Sequence, residues 1–171
     1  LQCPYCHGYE VADQPTGILM TSPAAPHHLT MLRDWTDDLA LFCNGHPLPD
    51  ELRAKAAGWG IPVHDLPVVA IRDDGPSRTI LLADGQEVRR SVLYLMSRSE
   101  PSCDLPAQLD CRTEDGMTGP FVSVDMMQNT SVPGVFAAGD LCRPMYGALF
   151  AAADGARAGT AAHHALLFPG A

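Results

Sequence analysis

The sequence predicts an α/β fold built on a parallel sheet and carrying a β-meander. Two short apolar runs, Thr16 to Met20 and Leu39 to Cys43, are each bounded by turn residues and read as buried strands. They alternate with stretches of helical spacing, and the order β-α-β-α is the unit of a parallel sheet. Further on, Asp-Gly turns separate three apolar runs, the signature of antiparallel hairpins.

The elements follow in order. After the first strand, Ser22 to Pro26 is a Pro-rich turn. From His28 to Trp35, Leu29, Leu32 and Trp35 recur at helical spacing with Met31 beside them, and Asp37-Asp38 ends that helix. Asn44-Gly45 ends the second strand. Pro49 and Asp50 start a helix through Ala57, with Gly58 as its C-cap. Val63 to Arg72, Thr79 to Leu82 and Glu87 to Met96 are the strands of the meander, turning at Asp73-Asp74-Gly75-Pro76 and at Asp84-Gly85. Ser97 to Pro101 reads as a crossover into a second region, which gives domains at 1–97 and 98–171. There Ser102 to Gly119 is loop-rich, Phe121 to Val124 and Val135 to Ala138 are strands, and a small-residue helix runs from Gly147 through Ala165.

Composition excludes several function classes. The chain of 171 residues is 46% apolar with a net charge of −9, and no basic cluster offers a nucleic-acid surface. No apolar run reaches the roughly 18 residues of a membrane span. Six cysteines without regular spacing do not resemble a secreted disulfide scaffold, and a reducing cytoplasm fits them best.

Two stretches carry chemistry. Cys3-Pro4-Tyr5-Cys6 is a C-x-x-C followed by His7. Such a pair can close a small disulfide, supply half a metal site, or do redox chemistry. A helix N-terminus there would lower a thiol pKa, and Pro4 can start that helix. Zinc needs a second ligand pair, but no cysteine lies between residues 7 and 42, Cys43, Cys103, Cys111 and Cys142 stand alone, and the adjacent His27-His28 suits a knuckle poorly. Redox is therefore preferred to a zinc site and to inert thiols, and no metal is expected. His7 is either a polar first-turn residue or a base for a thiolate. The second stretch is Asn129 to Asp140, ending Val135-Phe136-Ala137-Ala138-Gly139-Asp140. Asp140 is expected at a strand's carboxyl end, where open α/β sheets bind ligands, and Gly139 is expected to let backbone approach one. Free N–H groups at the start of the helix opened by Gly147-Ala148-Leu149-Phe150 could bind an electron-rich ring edge or a phosphate. An isolated Gly-Asp is otherwise just a turn.

Together these stretches resemble the low-molecular-weight thioredoxin reductase family of flavoproteins. Thr130-Ser131-Val132-Pro133-Gly134-Val135-Phe136-Ala137-Ala138-Gly139-Asp140 is similar to its second flavin-binding motif. Cys3-Pro4-Tyr5-Cys6-His7-Gly8-Tyr9-Glu10 resembles its redox pair, in the version of the gliotoxin- and holomycin-type dithiol oxidases. The resemblance implies a Rossmann-like FAD/NAD(P)-binding three-layer fold, here without the N-terminal half of the FAD domain, which another segment or chain would supply. It implies FAD as cofactor, a small-molecule or protein dithiol as substrate, and leaves room for a homodimer. Cys3 would be the outer thiol, Cys6 the one nearer the flavin, His7 a proton carrier, Asp140 a ribityl partner, and the backbone at Ala148 and Leu149 a neighbour of the flavin ring. The family's nucleotide fingerprint is absent after Met20, where Thr21 to Pro26 has no G-x-G-x-x-G, and Cys43 to Asp50 carries no arginine to hold a 2′-phosphate. This speaks against NADPH and for an oxidase. The rivals are an NADPH-dependent disulfide reductase and a non-catalytic piece that binds no flavin alone.

Overall fold

The computed structural model describes residues 1–21, 27–96, 98–116 and 118–169. The chain divides into two compact units, Leu1–Ser97 and Arg98–Ala171.

The first unit has three layers. After a short helix α1 (Pro4–His7) come β1 (Thr16–Met20), α2 (His27–Leu32), β2 (Leu39–Phe42), α3 (Asp50–Gly58) and β3 (Val63–His64). Then follow β4 (Val68–Asp73), β5 (Arg78–Leu82), β6 (Glu87–Arg90) and β7 (Val92–Met96). A parallel sheet of order β3-β2-β1-β7 forms the middle layer. Every residue of β1 and β2 is buried, because both faces of the sheet are covered. On one face Ile18, Met20, Leu39 and Leu41 pack with Leu29 and Leu32 of α2 and Ala56 of α3. On the other, Leu19, Ala40 and Phe42 pack with Ile80 and Leu82 of the antiparallel sheet β4-β5-β6. The period-2 alternation of side chains sends successive residues of one strand to these two cores.

The structure corrects the expected element bounds in informative ways. Val63 to Arg72 is two strands in two sheets. Pro67 lacks an N–H for the ladder, and the Val68 N–H is taken by the Asn44 side chain at 2.8 Å. Asn44 itself is left-handed, at φ 52°. Glu87 to Met96 likewise breaks at Ser91, where the Ser91 and Val92 N–H groups both reach the Pro15 carbonyl at 2.9 and 3.1 Å. Those bonds turn the chain from the meander into the parallel sheet. Gly58 is the last residue of α3 rather than its cap, and Gly60, at φ 69°, makes the turn. The helix expected to reach Trp35 stops at Leu32, and Trp35 closes a turn onto Leu32. The turn expected at Ser22 to Pro26 lies outside the described residues.

The second unit is built of smaller elements: α4 (Leu105–Gln108), β8 (Thr113–Gly116), β9 (Gly119–Val122) and α5 (Ala148–Leu167). The loop-rich reading of Ser102 to Gly119 thus missed α4 and β8, and β9 begins two residues before Phe121. Val135 to Ala138 is not a strand. It forms one arm of a tight hairpin turning at Gly134 (φ 78°), with a single bridge between Asn129 and Phe136. The Asn129 arm is too short to build a ladder, so Thr130 and Val135 share one backbone bond and the Ala137 N–H donates to the Gln128 carbonyl.

The double-faced sheet makes a direct prediction. Phe42→Ala empties a side chain that is wholly buried between β2 and the meander, and urea unfolding should show a loss of about 3–5 kcal/mol. Val69→Ala, on the exposed side of β4, should change stability by less than about 0.5 kcal/mol.

Candidate functional site

In the first unit, Cys3, Cys6 and His7 are brought together by α1. Cys3 holds the extended N-cap position (φ −123°, ψ 119°), and its carbonyl accepts the Cys6 and His7 N–H groups at 3.3 Å. Pro4 takes the helix start, where its missing N–H costs nothing. Cys3 is half-buried and Cys6 exposed, and neither is bridged. The Cys6 thiol was expected to be acidified by a helix start. Instead its pKa is raised, first by its hydrogen bond with Cys3, then by burial and the charge at Cys3. A helix of four residues, with Cys6 inside it rather than at its cap, has little dipole to offer. His7 Nδ1 meets Glu10 Oε2 at 3.1 Å on the surface.

Two residues that sequence reasoning passed over support this arrangement. A Cβ on Gly8 would press on the Pro4 carbonyl and stand 2.6 Å from the Trp35 indole, so glycine is needed there for packing, at an ordinary helical φ of −57°. Beside it, Tyr5, Met31, Asp34 and Trp35 line a depression of about 290 Å³. The second is Tyr94 of β7, 1% exposed in the core beneath the helical face. A lone tyrosine inside the apolar run Val92 to Met96 was the available signal.

The four remaining cysteines divide by burial. Cys43 is pushed up to about 11 by burial and then by Asp65, and Cys142 to about 11 by burial and then by Asp154. Both are therefore protonated at neutral pH. Cys103 is exposed and Cys111 half-buried. Among the described residues no three His, Cys, Asp or Glu side chains gather as metal ligands, and no helix is long and apolar enough to cross a membrane.

In the second unit, Gly139 and Asp140 open a 3-10 turn, Gly139–Cys142, instead of ending a strand. Gly139 has φ 76°, and Ala151 of α5 lies 3.4 Å from where its Cβ would be. The chain here demands glycine to turn against its own helix. Asp140 is exposed, and Ala148 and Leu149 are exposed at the start of α5, where Gly147 supplies no side-chain cap. The turn and the helix are joined by Asp154, which sequence reasoning also passed over because it stands alone in Ala151-Ala152-Ala153-Asp154-Gly155. Its carboxylate is buried, paired in both oxygens with Arg143, and accepts the Gly139 N–H. The Gln128 amide also donates to it at 3.4 Å. Asp154 thus ties the turn that carries Asp140 to α5.

No family model matches the chain. A probable thioredoxin reductase of Arthroderma benhamiae is 28% identical over 164 residues, covering 81% of this chain and 40% of its own length. Thioredoxin reductase sirT of Leptosphaeria maculans is 27% identical over 173 residues, 92% of this chain and 52% of that protein. Among solved structures, an oxidoreductase from Agrobacterium tumefaciens is 36% identical with a TM-score of 0.87, over 98% of this chain and 56% of that one. The chain thus spans about half the length of the relatives it matches, and its fold is the Rossmann-like one of thioredoxin reductase-like structures.

Arg143 holds the Asp154 carboxyl below the usual carboxylate range, aided by its charge and that of Arg157. A depressed folded pKa gives stability that is present above the unfolded value of about 4 and lost as pH falls through the folded value. The thermal midpoint should therefore drop on acidification below about pH 4. Asp154→Asn should lower the midpoint at neutral pH and flatten that acid dependence. Identical acid profiles for the two chains would contradict the assignment.

Proposed function

We propose that the chain belongs to a flavin-dependent thiol–disulfide oxidoreductase that oxidises a small-molecule dithiol through Cys3 and Cys6. The observation that carries this reading is the cysteine pair itself, held at the cap and inside one helical turn with a histidine beside it. The likeness in sequence and fold to proteins named thioredoxin reductase supports it.

The residues present fit FAD. The exposed Asp140 carboxylate can accept from ribityl hydroxyls, and the uncapped N–H groups at Ala148 and Leu149 can donate to the ring's acceptor edge. Gly139 turns tightly against Ala151 of α5. FAD, when bound, supplies the acceptor for the electron pair. Over its 20 residues α5 buries only Asp154 and Ala161, while Leu149, Phe150, Leu166 and Leu167 are exposed. Such a face favours a further flavin-domain segment, in this polypeptide or another.

The chain's own chemistry is disulfide exchange. One substrate thiolate attacks the Cys3 sulfur of the oxidised pair, the Cys3–Cys6 bond breaks, and Cys6 leaves as a thiolate. The second substrate thiol attacks the substrate sulfur of that mixed disulfide and releases Cys3. The substrate leaves as a disulfide, and two electrons and two protons have moved to the pair. His7, oriented by Glu10, carries the proton from the attacking thiol. The raised pKa of Cys6 means that it takes up a proton readily after leaving. Cys43 and Cys142 stay outside this cycle, since a thiol with a pKa of about 11 is roughly one-thousandth ionised at pH 8.

Differential alkylation with mass spectrometry tests the pairing. The oxidised chain should bridge Cys3 to Cys6 and to no other cysteine. Cys3→Ser should abolish exchange with substrate. Cys6→Ser should block turnover, yet its free Cys3 should attack the disulfide form of the substrate and be caught as a mixed disulfide, releasing one substrate thiolate. A bridge from either residue to another cysteine, or full turnover by Cys3→Ser, would overturn the mechanism.

The names of the curated relatives favour a second reading, an NADPH-dependent disulfide reductase. Thr21 to Pro26 lacks the glycines that bring backbone to a pyrophosphate, so NADPH at micromolar concentration should leave the flavin of the reconstituted protein oxidised in stopped flow. Rapid bleaching would favour the reductase.

A further inference from the structure

Tyr94 is buried to 1%, yet its hydroxyl has no hydrogen-bond partner among the described residues. A polar group left so is costly, and a native fold that keeps one usually has a use for it. Its surroundings say which use. On the edge of β7 away from β1, the Leu1 nitrogen donates to the Leu93 carbonyl at 2.8 Å, and the Leu95 N–H donates to the Leu1 carbonyl at 2.9 Å. These two bonds bracket Tyr94 and set Leu1 directly opposite it, in parallel pairing. Cys3 is two residues further on.

The face agrees with the edge. Tyr94 belongs to the core on the helical side of the sheet, together with Val11 and Trp35. Gly8 of the α1 segment packs against that same Trp35. Tyr94 therefore lies under the turn that carries the cysteines. The phenol is held in its protonated form by burial, then by negative charge at Cys3, and less by that at Cys6. It remains an O–H donor whenever a thiolate forms above it.

We propose that the Tyr94 hydroxyl is the buried donor for the Cys3 thiolate, reaching the sulfur through one water and making Cys3 the better leaving group of the pair. The proposal rests on the reading of Cys3 as the outer, exchanging thiol. His7 and Glu10 are tied to each other, Asp34 stands beside Tyr5 at the rim of the depression, and Cys6 is hydrogen-bonded to Cys3. From the sheet below, Tyr94 is the titratable side chain whose ionisation the pair opposes. A donor of this kind helps exchange: the departing Cys3 sulfur carries a negative charge in a half-buried place, and a neutral O–H stabilises it.

The test is Tyr94→Phe, which removes one oxygen, keeps the ring, and should hold or raise the unfolding midpoint because an unpartnered polar atom is lost. The rate of Cys3 alkylation by iodoacetamide is followed against pH by peptide mass spectrometry, in the otherwise natural chain and in a Cys6→Ser background where Cys3 reacts alone. The midpoint of the Cys3 profile should rise by about one pH unit in both, with roughly tenfold slower alkylation well below the midpoint. A residue that only fills the core would leave the profile unmoved. Superimposable profiles, or a fall in the unfolding midpoint without a change of profile, would overturn the proposal. Failure of the broader reading looks different: the natural chain itself would not bridge Cys3 to Cys6.

Discussion

Burial of β1 and β2 on both faces is the constraint on which the first unit depends. A parallel strand with two apolar faces cannot stand in water on either side, so it needs two covering layers. The helices after β1 and β2 supply one, and the meander β4-β5-β6 supplies the other. The same constraint forces the chain to leave the parallel sheet after β3 and return to it at β7. Pro67 and Asn44 manage the exit, and the carbonyl of Pro15 manages the return. Once β7 is in place beside β1, its outer edge is free to receive the segment that leads into the cysteine pair.

The second unit uses a different device. It has little apolar burial to organise its loops, and a buried carboxylate organises them instead. Asp154 draws Arg143, Gln128 and the Gly139 backbone onto α5. A buried charge is tolerated only when paired and hydrogen-bonded, and the cost of losing any partner makes the geometry specific. In this way a helix residue fixes the conformation of a turn well before it in the chain, and with it the place of the Asp140 carboxylate.

Burial also sorts the cysteines into chemistries. Cys43 and Cys142 sit where the thiolate is penalised, and act as small apolar side chains. Cys3 and Cys6 share a helical turn at the surface, where the Cys3 sulfur is the largest influence on Cys6. Residue type is the same in all of them; solvent and neighbours decide which can react.

The sequence by itself determined the fold class and the local motifs. Apolar runs bounded by turn residues mark β1 and β2 because a strand buried on both faces must be apolar at every position. Asp-Gly marks the hairpins because only a few residues accept a positive φ. The spacing Cys3-x-x-Cys6 is enough to put both sulfurs on one turn. What lay beyond it were facts about partners distant in the chain. Val135 to Ala138 has the composition of a strand, but its neighbour is a short arm that cannot extend the ladder. Gly58 looks like a cap, but the turn falls at Gly60. Asp154 reads as an ordinary helix residue until Arg143 and Gly139 close on it, and Tyr94 reads as strand filler until Leu1 pairs beside it. Each of these was decided by tertiary structure because hydrogen bonding and burial depend on which segments meet, and local sequence does not encode the segment on the other side.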